Sequence, residues 1–276
     1  MMKEKIKISL IYGLAICLSL LVLAPLLWML LTSFKGSREI ISYPPSIIPE
    51  TFTLENYSRL FNDTGFLRYL KNSFVVAISV MVVTNFAAVL GAYSLTRFRY
   101  FGRGVIVVSS LMGYMIAPIM IVIPFYLMMR VLGVGNTHLA LILAHTAFCF
   151  PFALWLMKSY FQDLPLELEK AARIDGASRL QTLIHVVLPN ALPGVAAVSI
   201  FIFILSWNDY VFARILITSD NLKTIPVGIE DIYNATVVDW GLLMAAGVII
   251  TVPILMGFIF VNKFLMKGLG YSGLKN

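Results

Sequence analysis

Charge is what this sequence has least of. Asp, Glu, Lys and Arg make up 13% of its 276 residues, against about 25% in a soluble domain, which excludes an ordinary soluble fold. Cysteine is nearly absent. Cys17 and Cys149 fall inside apolar runs, show no metal or redox spacing, and are expected to pack as small apolar side chains. No G-x-x-x-x-G-K-[ST] loop occurs, so the chain lacks the usual means of cradling ATP phosphates. His138, His145 and His185 have no H-E-x-x-H or other metal spacing, and no nucleophile elbow is present. Nothing therefore supports catalysis or a metal site within the chain. Internal repeats and low-complexity segments are also missing.

What the sequence has in excess is apolar length. Hydrophobic residues are 59% of the chain and the mean hydropathy is +0.88. A bilayer core of about 30 Å needs about 20 apolar residues as helix. Six such runs lie near 8–32, 70–94, 105–129, 138–160, 191–213 and 241–262. The fold class expected is an all-α integral membrane protein of six transmembrane helices, a single domain over 1–276. Between the spans lie external loops at 33–69 and 214–240 and an inner loop at 163–189. The first run follows Lys3, Lys5 and Lys7 but is longer than a signal core and lacks an A-x-A-like end, so it reads as a retained anchor.

Basic residues orient the chain. With the N-terminus inside, the inner segments hold 13 of the 21 Lys and Arg, and short basic loops favour the cytoplasmic side. Both termini are expected to be cytoplasmic. The net charge of +7 follows from this bias and implies no nucleic-acid partner. The basic, aromatic inner turn TRFRYFGRG is expected to meet lipid phosphates. Pro118 and Pro124 in the third run and Pro151 in the fourth predict kinks. In the first outer loop, 54–61 is the one stretch suited to a short helix.

The inner segment between the fourth and fifth runs departs from this apolar pattern. Leu166–Ile174 predicts a short helix with Pro165 at its first position and a Glu169–Arg173 pair on its surface. Gly176 offers a left-handed turn, and Ser178-x-x-Gln181 is a capping box that starts a second helix. On that helix Leu180, Leu183, Ile184, Val187 and Leu188 form one apolar stripe. Two readings fit: a recognition helix seated in a groove of a partner, with small Ala171 and Ala172 allowing close approach, or an amphipathic helix lying on lipid headgroups.

Few ionisable groups lie at membrane depth, chiefly Asp209, His145 and the shallower His185. An ion-driven carrier usually needs more, so a neutral, hydroxyl-rich substrate suits the chain better. Trp207, Asn208, Asp209 and Tyr210 supply the aromatic faces and polar groups that bind sugars, although Trp and Tyr also collect at membrane interfaces. Asn85 and Tyr114 are further polar groups that fit either a substrate or helix packing.

The pattern Ala171-Ala172-x3-Gly176-x9-Val186-x-Leu188-Pro189 resembles the EAA loop of ABC-importer permeases, and ELEKAARIDGAS is similar to its form in the carbohydrate, maltose-transporter branch. SWNDY at 206–210, KTIPVG at 223–228, DWG at 239–241 and the tail KGLGYSGLKN agree with that branch. One departure stands out: Lys170 occupies the position of the motif's glutamate, with Glu169 just before it.

The resemblance implies a MetI-like permease fold in a bacterial cell membrane, importing a sugar or oligosaccharide. Its implied partners are a second, non-identical permease, two ATPase subunits that hold the ATP and Mg2+, and an extracellular solute-binding protein. It gives ATPase coupling to Glu169, Lys170, Ala171, Ala172, Asp175, Gly176, Ala177 and Pro189. It also gives the substrate path to Trp207–Tyr210, binding-protein docking to Thr224, Ile225 and Pro226, and an ATPase contact to the tail from Gly268. The alternative kept open is an ion-gradient-driven secondary carrier.

Overall fold

The computed structural model describes residues 2–235 and 237–272; the end of the tail that the resemblance assigns to the ATPase pair therefore lies outside the described residues. Among these the chain is helical, without strands. Its helices are α1 (Met2–Ser33), α2 (Ser37–Ile40), α3 (Glu55–Asp63), α4 (Phe66–Arg97), α5 (Arg103–Tyr114), α6 (Pro118–Val131) and α7 (His138–Gln162). Then come α8 (Leu166–Ile174), α9 (Arg179–Thr182), a π-turn (Leu183–Val187), α10 (Leu188–Asn190) and α11 (Leu192–Trp207). The chain continues through α12 (Val211–Leu216), α13 (Ile225–Tyr233) and α14 (Trp240–Ser272).

Four stretches are long and apolar enough to cross a bilayer: Leu10–Ser33, Phe66–Arg97, His138–Gln162 and Trp240–Asn262. Two bent pairs raise the number to as many as six among the described residues. In the first pair α5 and α6 meet at 100°. The cause is Pro118, which takes the first position of α6 and holds Ala117 in an extended conformation. Pro124 and Pro151, by contrast, lie inside continuous helices. The second pair bends by 79° between Asn190 and Leu192, just after Pro189.

The structure also shortens the fifth run. Apolarity continues to 213, yet α11 stops at Trp207, and 16 residues of helix reach only about 24 Å. Asn208, Asp209 and Tyr210 separate it from α12.

The chain divides into two compact units, one of Met1–Phe66 with Ile229–Pro253 and the other of Leu67–Gly228 with Ile254–Asn276. In the first, Asn56 donates to the carbonyls of Ser33 (2.9 Å), an orphan group at the end of α1, and of Lys35 (2.8 Å) just beyond it. Arg59 pairs with Asp239 at 2.7 Å, and Asp239 also accepts from the Leu242 N–H at the start of α14.

The second unit is built around α7. Both α5 and α11 pack on it, and α12 packs on α6 and α7. Small residues allow the close approach: Ala140, Ala144 and Ala153 of α7 are buried. Gly194 of α11 lies so close to the Tyr160 ring that a Cβ there would overlap it. Asn85 of α4 donates to the Met81 carbonyl (2.9 Å) and to Ser199 Oγ of α11 (3.0 Å), a helix-packing role.

Candidate functional site

The inner segment is two helices joined by a tightly specified corner. Gly176 has φ +90°, a left-handed conformation that an L side chain enters only with strain. Around it the Ala177 N–H reaches the Ala172 carbonyl (3.0 Å) and the Gly176 N–H reaches that of Arg173 (3.2 Å). These two bonds make a Schellman motif. One residue later the capping box is complete: Ser178 N–H donates to Gln181 Oε1 (2.8 Å) and Gln181 N–H to Ser178 Oγ (3.3 Å). Helix end, turn and helix start therefore follow without a free residue between them.

Three local expectations change. Pro165 caps α8 and does not begin it, since its ψ of 126° is extended. The apolar stripe splits: Leu183 and Val187 are buried whereas Leu180 and Ile184 are exposed. The π-turn over Leu183–Val187 breaks the 3.6-residue register. Pro189 explains it, because proline has no N–H for the His185 carbonyl and its ring needs room there. Finally, Glu169 does not pair with Arg173. It turns inward at 8% exposure and accepts from Arg97 Nε at 2.5 Å.

Lys170, Ala171, Asp175, Gly176 and Pro189 are exposed, and Ala172 and Ala177 are half-buried. Ile174 is 86% exposed, an apolar side chain left at the turn. The neighbouring inner turn braces the segment: Arg179 stacks over the Phe98 ring at 4.6 Å. That use of TRFRYFGRG was invisible in composition, which pointed only to lipid.

At the break in the fifth run, Trp207 is buried (1% exposed), edge-on to Phe74 at 4.7 Å and stacked with Phe203 at 5.2 Å. Asn208 and Tyr210 are exposed and Asp209 is half-buried. Asp209 Oδ2 accepts from the Ala213 N–H (3.1 Å), closing the first turn of α12. The same oxygen lies 3.0 Å from His145 Nε2, close enough for an ion pair though off the hydrogen-bond line. On the other side of the ring, His145 Nδ1 and Ser206 Oγ share a hydrogen bond of 2.8 Å. Ser206, His145 and Asp209 thus link α7 to both sides of the break. Nearby, a cavity of about 250 Å3 is lined by Tyr114, Phe125, Phe148 and Phe212 together with Ser109 and Ser110. Nothing in the sequence pointed to Phe125, Phe148 or Phe212, which are ordinary apolar residues of their runs.

The loop after α12 is stapled to the starts of α4 and α7. Asn72 donates to the carbonyls of Asn221 and Lys223, both at 2.9 Å, and Ser73 Oγ accepts from the Ile225 N–H (2.9 Å). Asn136, at φ 54°, accepts from the N–H groups of Thr218 and Ser219. Thr224 and Ile225 are consequently buried at 5% and 1%, and Pro226 is half-buried.

The chain is similar to known proteins over most of its length. Residues 84–270 match the family model described as the binding-protein-dependent transport system inner membrane component. The chain is 37% identical over 265 residues to the inner membrane ABC transporter permease protein YcjP of Escherichia coli (strain K12), covering 95% of this chain and 94% of that protein. It is 34% identical over 281 residues to the trehalose/maltose transport system permease protein MalG of Thermococcus litoralis, with 99% of each covered. In fold it is similar to a chain from a bacterial ABC transporter involved in the import of the acidic polysaccharide alginate, with a TM-score of 0.83 at 24% identity over 95% of this chain and 97% of that one.

Proposed function

The chain belongs to the family of binding-protein-dependent transport system inner membrane components, and from that premise we propose that it is a permease subunit through which an ABC importer moves a sugar or oligosaccharide into the cell. The family leaves no support for the ion-gradient carrier. The sugar assignment rests on relatives such as the trehalose/maltose permease and on the aromatic and hydroxyl groups around the α11–α12 break.

In this reading the chain crosses the cytoplasmic membrane six times with both termini inside, as the basic bias favours. It pairs with a second, non-identical permease, and two separate ATPase subunits bind ATP and Mg2+ and hydrolyse it. The segment from α8 to α10 sits in a cleft of one ATPase, meeting it through Lys170, Ala171, Asp175, Gly176 and Ile174, while Ala172 and Ala177 shape the corner and Pro189 the π-turn after it. Glu169 serves from beneath. Closure of the ATPase pair displaces α8, and the shift passes to the spans on either side. At the outer face Thr224, Ile225 and Pro226 set the form of the loop that meets the solute-binding protein. Inside, Asn208, Tyr210 and the cavity beside Tyr114 line the route, with Asp209 and Trp207 holding the break open.

The observation that carries the proposal is the exposed surface of Lys170, Ala171, Ile174, Asp175 and Gly176 on a corner made rigid by the Schellman motif and the capping box. The test places single cysteines at Ala171 and Ser178 in a chain lacking Cys17 and Cys149, co-expressed with its ATPase. Crosslinks that change with ATP are expected. Labelling that instead matches lipid headgroups, with no crosslink, would return the segment to the membrane surface.

A further inference from the structure

One guanidinium fastens three helix ends. Arg97 is the last residue of α4. Its Nε donates to Glu169 Oε1 of α8 at 2.5 Å, and its Nη2 donates to the Phe161 carbonyl in the last turn of α7 at 2.9 Å. The two charged side chains are only 10% and 11% exposed, so the pair is shielded from the solvent screening that weakens surface ion pairs. The planar fork suits this task, since it presents donors in two fixed directions at once. Loop residues 163–165 are the only chain connection between α7 and α8, and three residues alone would let α8 swing.

We propose that Arg97 is the positioning residue that carries motion of α8 into α4. The inference rests on the reading of α8 as the ATPase-coupling helix and adds a route that its place between α7 and α11 does not suggest. A push on α8 reaches α7 along the chain, and the Arg97–Glu169 pair links α8 itself to the last residue of α4, beside the Arg179–Phe98 contact made from α9. The second span therefore moves with the coupling helix as one body, and ATP closure re-orients α4 together with α7. Glu169 is thereby spent inside the permease. The exposed charge at the motif's glutamate position is Lys170, so the ATPase cleft that receives it must offer an acceptor such as a carboxylate.

The test uses the whole transporter in lipid nanodiscs, with Arg97→Ala, Glu169→Gln, Arg97→Lys and the exchange Arg97→Glu with Glu169→Arg. Three quantities are read: ATPase retained on purification, the ATP-dependent crosslink from a cysteine at Ala171, and sugar moved per ATP hydrolysed. The single variants are expected to keep the ATPase and the crosslink while transport per ATP falls about ten-fold. Arg97→Lys should fall between, because an ammonium cannot hold the same two-directional geometry. The exchange should recover at least half of the loss. Unchanged transport per ATP in the single variants overturns the proposal, as does loss of the ATPase that the exchange does not repair. If the crosslink is missing from the otherwise unaltered chain, the coupling assignment itself has failed, a result distinct from an intact crosslink with unchanged coupling.

Discussion

His145 Nε2 and Asp209 Oδ2 lie 3.0 Å apart across the α7 side of the broken fifth span. Because Asp209 also accepts from the Ala213 N–H, Asp209→Ala removes the acceptor of an N–H in the first turn of α12 and the carboxylate that faces the buried imidazole. Losing such a partner costs about 1–3 kcal/mol. A lower thermal midpoint of the purified transporter is expected, with reduced transport and unchanged ATPase retention. His145→Ala should remove most of the additional effect of Asp209→Ala; strict additivity in that double-mutant cycle would mean the two side chains do not act together.

Gly176 separates backbone strain from crowding. No atom stands within 4 Å of a Cβ built there, so only the positive φ opposes a side chain. Gly176→Val is expected to cost about 1–2 kcal/mol at the corner and to lower transport per ATP without altering membrane insertion. Gly176→Asn, which tolerates the left-handed region, should stay near the parent value. Equal transport per ATP in both variants and in the parent would contradict a rigid corner.

Gly194 poses the opposite case, with ordinary backbone and no space. Gly194→Ala drives a methyl into the Tyr160 ring and is expected to destabilise the α7–α11 contact by about 1–3 kcal/mol. Tyr160→Leu in the same chain should recover part of the thermal midpoint. No recovery would mean that the ring is not what limits the approach.

The loop between α1 and α3 should respond to acid. The Ser46 hydroxyl, then the Glu50 N–H and the Lys35 ammonium hold the Glu39 carboxyl below its usual range. A depressed folded value means that the contribution to loop order is complete above the unfolded value of 4.5 and is lost as pH falls through the lower, folded one. Amide-exchange protection of Glu50 should drop over that window, and Glu39→Gln should abolish the drop. The same pH dependence in both chains would exclude Glu39 as its source.

Much of the candidate site was legible because its chemistry is local. Pro118 at a helix start, Gly176 at the left-handed corner and the Ser178–Gln181 box act through backbone geometry within three or four residues. Each lies where the pattern indicated. The π-turn was less accessible: Leu180, Leu183, Ile184, Val187 and Leu188 do keep helical spacing, and only Pro189 hints that the ladder must widen. The burial of Trp207 was hidden for another reason, since an indole at the outer end of a span has the same composition whether it faces lipid, sugar or a neighbouring Phe74.

By itself the sequence determined that this chain lives in a bilayer, where its runs must fold as helices because backbone groups find no water there. It also determined the break at Pro118 and the turn at Gly176, though not the break after Trp207. Only the tertiary structure decided which charges meet. Glu169 had Arg173 one turn away and took Arg97, 72 residues earlier. Asp209 took His145, 64 residues earlier in the chain, and Asn72 took carbonyls about 150 residues on. An exposed i,i+4 pair is worth only a few tenths of a kcal/mol, whereas a charge enclosed by helix packing must find a partner, and the packing of α4, α7 and α11 chooses which one is within reach.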